Sequence, residues 1–382
     1  MRHTLFLMIL LLSLSCTSRS QAKRDSIIDT LSDSLSDSIF PTDTLRLLFV
    51  GDLMQHQGQI NAARTSTGYD YSTCFAYVKE EIKKADLSIA NLEVTLGGKP
   101  YKGYPAFSAP DEFLTAIHDA GFNVLVTANN HSLDRGKSGL ERTIQLIDSL
   151  KVPHAGTYIN ADEREKKYPL LLEKNGFRIA LLNYTYGTNG IPVTPPNIVN
   201  YIDTAIIVKD IEESKAMKPD AIIACMHWGI EYQSLPDKEQ KFLTDWLLRK
   251  GVNHIIGCHP HVVQPIEVRE DSLTNGKHLV VYSLGNYISN MSARRTDGGL
   301  MVKMELVKDS TTRLNHCEYS LVWTARPVQS GKKNHQLLPI NFPTDSISVN
   351  ARNSLRIFAN DARSLFSKHN RGIKEYLFYK KK

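Results

Sequence analysis

Carboxylate, amide and imidazole side chains follow several apolar runs of this sequence, at the point where each run ends. The segment VTANNHSLDRG, residues 126–136, places such residues directly behind the apolar stretch FNVL. Asparagine and aspartate are poor strand formers and are costly to bury without partners, so the segment predicts either a turn or a site. Five run ends share the pattern. The residues at these ends are Asp52, Glu93, Asn130 with His131, His227, and His259 with His261.

This set of side chains offers oxygen and nitrogen ligands but no thiolate. Such a set suits divalent ions such as Mn, Zn or Fe. One carboxylate can bridge two ions, and two ions ~3.5–4 Å apart can hold both the attacking and the leaving oxygen of a phosphoryl displacement. We expect His259 and His261 to lie on the same side of an extended segment that the intervening Pro260 keeps rigid.

The apolar runs predict buried strands, and amphipathic patterns between several of them predict helices. This alternation is typical of an α/β protein with a largely parallel sheet, in which ligands bind beyond the carboxyl ends of the strands. If the strands share one edge, the polar residues converge there. The predicted strands are residues 45–50, 85–90, 123–128, 178–183, 221–226, 254–258 and 278–283, and the predicted helices are 75–85, 111–121, 139–150 and 237–251.

Composition excludes some classes of function. The chain has 382 residues and a formal net charge of +6, and aromatic residues do not alternate with basic runs as they do in a nucleic-acid groove. We therefore expect no nucleic-acid partner. No HExxH motif is present, which argues against a zinc peptidase.

The N-terminus predicts export. Residues 1–16 contain a basic residue, an apolar run and small residues that end at Cys16, as in a bacterial lipoprotein signal, although ordinary signal cleavage is the alternative. Residues 17–43 are rich in Ser and Asp and predict a tether, or else a short amphipathic helix. The expected location is the bacterial cell envelope, where a lipid on Cys16 anchors the protein to the membrane.

Six blocks of the sequence together resemble the CapA branch of the calcineurin-like metallophosphoesterases, which are accessory proteins of capsule or poly-γ-glutamate synthesis. The resemblance runs from about residue 45 to about residue 326. It implies a four-layer α/β/β/α sandwich with a dinuclear site, here a domain at residues 44–329 followed by a helical, basic tail at 330–382. The blocks are GDLM, ANLEVTL, ANNHSLDRG, HWGIEY, GCHPHVVQPIE and YSLGNYI.

The resemblance also implies roles for the residues at the run ends. Glu93 would bridge two ions, and His131 would be the general acid. Asp52 and His261 would bind the first ion; Asn130, His227 and His259 would bind the second. Classical members have His where this chain has Met54, so one tight and one weak ion are expected, with His56 as a candidate replacement ligand.

Further polar residues near the run ends have two interpretations each. Asp134 either holds His131 in a working tautomer or caps the following helix. Four residues are candidates for substrate contact, against a turn, packing or solvent as the alternative: Asn91, Tyr184, Asn286 and Arg294.

Two functions are compatible with these patterns. The first is a metal-dependent hydrolase that acts on a phosphoester or a cell-surface polymer and is linked to capsule or poly-γ-glutamate synthesis or export. The second is a non-catalytic accessory protein of envelope polymer assembly with a degenerate metal site.

Overall fold

The computed structural model describes residues 43–271 and 276–379. The predictions for residues 1–42, including the signal sequence, Cys16 and most of the tether, lie outside these ranges, as do the last three lysines. The chain from Asp43 onward forms one compact unit. Within the described ranges, none of the helices is both long and apolar enough to cross a membrane.

The described chain alternates strands with helices. The strands are β1 (Asp43–Leu53), β2 (Leu87–Leu92), β3 (Val124–Val126), β4 (His154–Ala155), β5 (Thr157–Tyr158), β6 (Leu170–Lys174), β7 (Phe177–Thr185), β8 (Ile198–Val199), β9 (Ala221–His227), β10 (His254–Cys258), β11 (Ile266–Glu270), β12 (Lys277–Val281), β13 (Asn286–Ile288), β14 (Gly298–Lys308), β15 (Thr312–Ala325), β16 (Gln336–Pro339) and β17 (Lys374–Glu375). The helices are α1 (Gln57–Ala63), α2 (Lys79–Ile82), α3 (Asp111–Ala120), α4 (Gly136–Ser149), α5 (Ala161–Lys167), α6 (Thr204–Ala216), α7 (Lys238–Lys250), α8 (Pro327–Ser330) and α9 (Val349–His369), with a 3₁₀ turn at Thr344–Ser346.

The strands form two large mixed sheets rather than one parallel sheet. The nine-stranded sheet has the order β16-β15-β14-β1-β2-β3-β4, with β13 paired to β1 and β17 to β15. The six-stranded sheet has the order β11-β12-β10-β9-β7-β6. The strands that carry the site are parallel within each sheet, β1 with β2 and β3, and β9 with β10. The functional residues therefore come from the carboxyl ends of strands in both sheets.

The largest apolar cluster lies between the two sheets. Leu47 and Phe49 of β1 face Ile179 and Leu181 of β7 and Ile256 of β10 in this cluster. These positions alternate along each strand because successive side chains point to opposite faces.

Helices cover the outer face of each sheet. Leu48 of β1 packs with Phe113 of α3 on the first sheet. Leu182 of β7 packs with Ile211 of α6 and Leu247 of α7 on the second. Each sheet is thus covered by its partner sheet on one face and by helices on the other. The expected four-layer α/β/β/α sandwich is confirmed.

The segment after residue 330 is part of this sandwich. Phe358 and Phe366 of α9 are buried in the cluster between the sheets, as expected for a docked amphipathic helix. Strands β16 and β17 both pair with β15. This segment therefore extends the first sheet. The sequence predicted its helix but not these two strands.

Candidate metal centre

The carboxyl ends of four strands bring the predicted ligands together. Asp52 lies near the end of β1, Glu93 directly follows β2, His227 is the last residue of β9, and His259 directly follows β10. These side chains, together with Asn130 and His261, are each at most 3% exposed. The centre is therefore formed by both sheets, and neither sheet alone holds a full set of ligands.

A glycine allows β1 to approach its neighbour closely at this point. A Cβ on Gly51 would lie 1.9 Å from the carbonyl oxygen of Gly285, so no other residue fits there without a backbone shift. The next residue, Asp52, donates its backbone N–H to that carbonyl at 3.0 Å. The Gly-Asp pair thus fixes where the Asp52 carboxylate lies.

Two groups of possible metal ligands share one carboxylate. In the first group, Asp52, Glu93 and His261 have ligand atoms within 4.8 Å of one another. In the second group, the same holds for Glu93, His227 and His259. The Oε1 atom of Glu93 lies 3.7 Å from Nε2 of His227 and 3.9 Å from Nε2 of His261. This is the arrangement in which one carboxylate can bridge two ions.

Two buried polar atoms of this centre lack hydrogen-bond partners. They are Oε1 of Glu93 and Nδ1 of His259. Such atoms are costly to bury, and a cation between them would satisfy both. Because the donors are oxygen and nitrogen atoms, the residues present fit a divalent ion such as Mn, Zn or Fe.

Burial and charge set the protonation of these side chains. Burial and the neighbouring Asp52 carboxylate raise the pKa of Glu93 well above its usual value. Burial lowers the pKa of His227, and it lowers that of His259 to about 3, so both imidazoles are neutral and keep a lone pair for a metal. Burial opposes ionisation of Asp52, but hydrogen bonding to His261 lowers its pKa overall. A bound cation would relieve the repulsion between the two carboxylates.

Asn130 is placed to add an oxygen ligand to the second group. Its Oδ1 lies 2.8 Å from Nε2 of His227, and its Nδ2 donates to Oδ1 of Asn189 at 3.2 Å. The contact with Asn189 therefore keeps the Asn130 oxygen directed toward the cluster. Asn189 was not identified from the sequence because it lies in a loop 59 residues away from its partner.

Asn286 orients His261 through its side-chain oxygen, and its contact with substrate stays a prediction. Its Nδ2 donates to the carbonyl of Thr296, so its Oδ1 is left to accept from Nδ1 of His261 at 3.0 Å. The Nδ1 atom of His261 also lies 3.2 Å from Oδ2 of Asp52. With the proton on Nδ1, Nε2 of His261 faces Glu93 with a free lone pair.

His131 and Asp134 form a buried pair beside the cluster. Nδ1 of His131 lies 2.8 Å from Oδ2 of Asp134, which also accepts from the backbone N–H of Phe107. The Phe107 ring packs against the His131 ring with centroids 4.6 Å apart. Helix α4 begins after Arg135 without a side-chain cap. Of the two interpretations of Asp134, the geometry therefore matches the contact with His131.

Asn91 lies among the ligands rather than at the surface. It is 2% exposed, and its Nδ2 donates to Oδ1 of Asp52 at 2.8 Å. Its Oδ1 accepts from Nδ2 of Asn129 at 3.2 Å. Asn91 therefore positions Asp52, and its contact with substrate stays a prediction. Asn129 belongs to the ANNH block, but no role was assigned to it from the sequence.

Two other candidates for substrate contact lie away from the cluster. Tyr184 is fully buried between the second sheet and its helices, where its hydroxyl donates to Asp210 at 2.8 Å. Arg294 pairs through two nitrogens with Asp361 of α9 at 2.6 and 2.7 Å. Packing thus accounts for Tyr184 and ion pairing for Arg294, and substrate contact by either residue stays a prediction. Tyr186, just beyond β7, contacts the cluster instead, with its ring 4.4 Å from that of His259.

Met54 and His56 do not supply a ligand to the first group. Met54 is 2% exposed and packs in the apolar cluster between the first sheet and its helices. Nδ1 of His56 lies 3.4 Å from Oε1 of Gln59 and from the backbone nitrogen of Asn290. Neither residue belongs to the two ligand groups. The first group therefore has three protein ligands, whereas Asn130 gives the second a fourth donor.

The His-Pro-His segment is not extended as expected. Strand β10 ends at Cys258, and both His259 and His261 have left-handed backbone, with φ of 101° and 58°. The turn places His259 beside His227, with ring centroids 4.8 Å apart, and places His261 beside Asp52. One short segment therefore supplies one imidazole to each ligand group. Left-handed backbone is uncommon for residues other than glycine and often marks functional sites.

Comparison with known proteins places these residues in a family. Residues 46–291 match the family described as "Bacterial capsule synthesis protein PGA_cap". Capsule biosynthesis protein CapA of Bacillus anthracis is 28% identical over 284 residues, which is 71% of this chain and 66% of that protein. PGA biosynthesis protein CapA of Bacillus subtilis (strain 168) is 28% identical over 281 residues, which is 72% of this chain and 71% of that protein. The chain thus spans just under two thirds of the first relative.

Solved structures with partial similarity include two enzymes. The NAD nucleotidase of Haemophilus influenzae aligns with a TM-score of 0.48 and 12% identity, covering 89% of this chain and 65% of that one. The calcineurin-like phosphoesterase YfkN of Bacillus subtilis aligns with a TM-score of 0.45 and 14% identity, covering 85% and 99%. The family match includes all five run ends, from Asp52 to His261, and covers more than half of the sequence. The chain belongs to the PGA_cap family of bacterial capsule synthesis proteins.

Proposed function

We propose that this protein is a metal-dependent hydrolase that cleaves a phosphoester during capsule or poly-γ-glutamate synthesis or export. The observation that carries the proposal is the pair of ligand groups that share Glu93. The family match supports the link to capsule synthesis. The chemistry of the donor set supports a divalent metal.

The residues of the centre have distinct tasks in this reaction. Bound divalent ions would polarise the phosphoryl group and lower the pKa of water. Asp52, Glu93, Asn130 and the three cluster histidines hold the ions. His131 delivers a proton to the leaving oxygen through Nε2, because its Nδ1 is engaged by Asp134. The Asp134 carboxylate stabilises the doubly protonated imidazole that this step requires.

A non-catalytic role in polymer assembly is the second candidate. The observation that favours it is the burial of Met54 in the core, which leaves the Asp52 group with three protein ligands. A weakly held ion at this group would give a protein that binds metal and ligand without turnover. The two candidates differ in whether His131 takes part in catalysis.

A hydrolysis assay separates the two candidates. We would load the purified protein with Mn, Zn or Fe, measure metal content, and assay bis(p-nitrophenyl) phosphate and p-nitrophenyl phosphate. His131→Asn should lower kcat by roughly 10²–10⁴ without loss of metal, since it removes the proton donor alone. His316→Asn is the matched control because His316 lies on β15 with 62% of its side chain exposed. Metal-loaded wild-type protein that cleaves neither compound would favour the accessory role.

We also propose that the protein is exported and anchored through a lipid on Cys16. The support is the signal-like sequence of residues 1–16. Labelling of cells with a fatty-acid analogue should mark wild-type protein and spare Cys16→Ser. Cys74→Ser is the control, because Cys74 is a buried free cysteine of the described chain. Equal labelling of wild type and Cys16→Ser would contradict the anchor.

A further inference from the structure

Four aromatic side chains of the described residues are largely exposed to solvent. They are Tyr104, Tyr186, Tyr232 and Phe242, with exposed fractions of 71%, 48%, 53% and 58%. Phe242 lies on helix α7, and the three tyrosines lie in loops. Exposed aromatic rings are costly in water, so a group of them at one place indicates a surface that binds something.

The three tyrosines surround the metal centre, and we call them the tyrosine rim. The Tyr186 ring lies 4.4 Å from the His259 ring, and the Tyr232 ring lies 6.1 Å from the His261 ring. The Tyr104 ring lies 6.3 Å from Phe107, which packs on His131. Each tyrosine therefore stands over a different part of the centre.

The backbone of Tyr232 gives independent evidence for a role of this surface. Tyr232 has a φ of 66°, a conformation that is unfavourable for a bulky residue with a Cβ. Its N–H donates to the carbonyl of Pro260 at 2.8 Å, which ties the strained residue to the His-Pro-His turn. Because the ring is exposed, core packing does not compensate for the strain. Strain that packing does not explain points to function.

The charges at the rim indicate what kind of ligand it accepts. The exposed Glu231 precedes Tyr232 in the chain, and its charge adds to burial in raising the pKa of both Tyr186 and Tyr232 to about 12. Arg294, a candidate for substrate contact, and the adjacent Arg295 are both engaged elsewhere. Arg294 pairs with Asp361, and Arg295 contacts Asp361 and Ser234. A carboxylate at the opening repels a polyanion but accepts hydrogen bonds from hydroxyl groups.

The rings of the rim do not contact one another. The described ring contacts pair the rim tyrosines with His259, His261, His227 and Phe107. The rim thus offers three separate ring faces. Separate amphipathic rings with phenol hydroxyls suit successive sugar units, which have apolar C–H faces and hydroxyl edges.

We propose that the tyrosine rim binds neutral sugar units of a glycan that is joined to the phosphoester. The identity of the reacting bond rests on the proposed function, whereas sugar binding by the rim does not. The rim contributes ring stacking and Glu231 contributes hydrogen bonds to hydroxyls. The substrate class is then a phosphate-linked glycan.

The test is direct binding of neutral oligosaccharides to the metal-containing protein as purified. Maltopentaose, cellopentaose and chitopentaose would be titrated at millimolar concentration by calorimetry and by saturation-transfer NMR. We expect wild-type protein to bind at least one of them. Tyr186→Ala and Tyr232→Ala should each weaken binding about 10-fold, whereas Tyr232→Phe, which keeps the ring, should stay within about 3-fold. Phe242→Ala is the control and should bind like wild type.

A stability measurement separates binding from a structural role for Tyr232. Tyr232→Gly removes the strain of the left-handed backbone, so its Tm should equal or exceed that of wild type while its affinity falls. A clear drop in Tm would mean that Tyr232 serves packing and would overturn the proposal. Affinity unchanged by both Ala variants would overturn it as well.

Two further probes cover the alternative ligands. Adenosine and poly-γ-glutamate would be titrated under the same conditions. If either binds through the tyrosines and no oligosaccharide does, the sugar proposal is wrong. Sugar binding that depends on the tyrosines, in a protein that hydrolyses no phosphoester, would refute the proposed function and keep the rim proposal. Hydrolysis of a phosphoester without sugar binding would refute the rim proposal and keep the proposed function.

Discussion

Glu93→Gln is the sharpest perturbation of the proposed centre, because Glu93 belongs to both ligand groups. The substitution keeps the size of the side chain and removes its charge. We expect it to abolish binding of both ions. His259→Ala changes the second group only, so it should leave the ion at Asp52 and His261 in place.

The expected size of the effect follows from linkage. An ion at 100 times its Kd stabilises the folded state by ~2.7 kcal/mol. A unit of about 340 residues has an unfolding entropy of ~0.7 kcal/mol/K, so each ion should raise Tm by about 4 °C and two ions by about 8 °C. Wild type should gain the full shift, His259→Ala about half of it, and Glu93→Gln none.

Without metal, the order of the Tm values of wild type and Glu93→Gln should be reversed or the two should be equal. The pKa of Glu93 is raised, so its contribution to stability is present below its unfolded pKa of 4.5 and is lost as pH rises through the folded value. In chelator at pH 8, Glu93→Gln should therefore unfold at or above the wild-type Tm.

Scanning calorimetry at pH 8 measures both effects, with metal content from elemental analysis. Glu213→Gln is the matched control, because Glu213 is exposed on α6. If Glu93→Gln kept the wild-type metal shift and stoichiometry, the shared-carboxylate centre would be refuted.

Three further predictions concern residues around the centre. Asn286→Leu should lower affinity for the weaker ion roughly 10–100-fold, because His261 loses the oxygen that fixes its tautomer, and metal titration would measure this. Equal affinity would show that Asp52 alone orients His261. Met54→His should lower Tm by a few degrees without adding an ion, because it buries an imidazole among apolar side chains. A gain of metal would contradict the packing of Met54 in the core. His254 has a pKa lowered to about 3 by burial, so its contribution is complete above pH 6.5 and is lost as pH falls toward 3. From pH 6.5 to 4 that loss is about 3 kcal/mol, or ~4 °C in Tm. The variant His254→Asn retains an acceptor for the Leu279 N–H, and it should reduce the decline measured by calorimetry by that amount.

Local pattern was enough to predict which polar residues the fold brings together, whereas the four layers were implied by the family resemblance. Apolar runs that end in Asp, Glu, Asn or His identified Asp52, Glu93, His227 and His259, because residue type and position at a strand end are both written in the chain. The amphipathic patterns likewise predicted α3, α4 and α7 to within three residues at each end.

The long hairpin of β14 and β15 was not predicted. Its strands extend the first sheet on the side of β1 away from the site. Their pattern mixes exposed charged residues with apolar ones, and which sheet a strand joins depends on partners far away in the chain.

The face on which a side chain lies was decided by tertiary structure. Tyr184 and Tyr186 are two residues apart at one strand end, but Tyr184 lies in the core under α6 and Tyr186 lies over His259. Alternation predicts that neighbouring residues on a strand face opposite ways, but it does not say which face a helix covers or where the strand stops. Alternation likewise did not tell that the face of β1 bearing Met54 is covered by helices, and Met54 lies in the core there.

The partners of the amides were also decided by tertiary structure. An amide offers both a donor and an acceptor, so its role depends on groups brought together by folding. Asn286 accepts from His261, 25 residues away, and Asn91 donates to Asp52, 39 residues away, across neighbouring strands. The sequence determined which residue types reach the centre, because side-chain chemistry and strand propensity are local. Only the packing of the two sheets face to face, with the ends of their central strands side by side, decided which atoms face a metal ion, because that depends on distances between residues far apart in the chain.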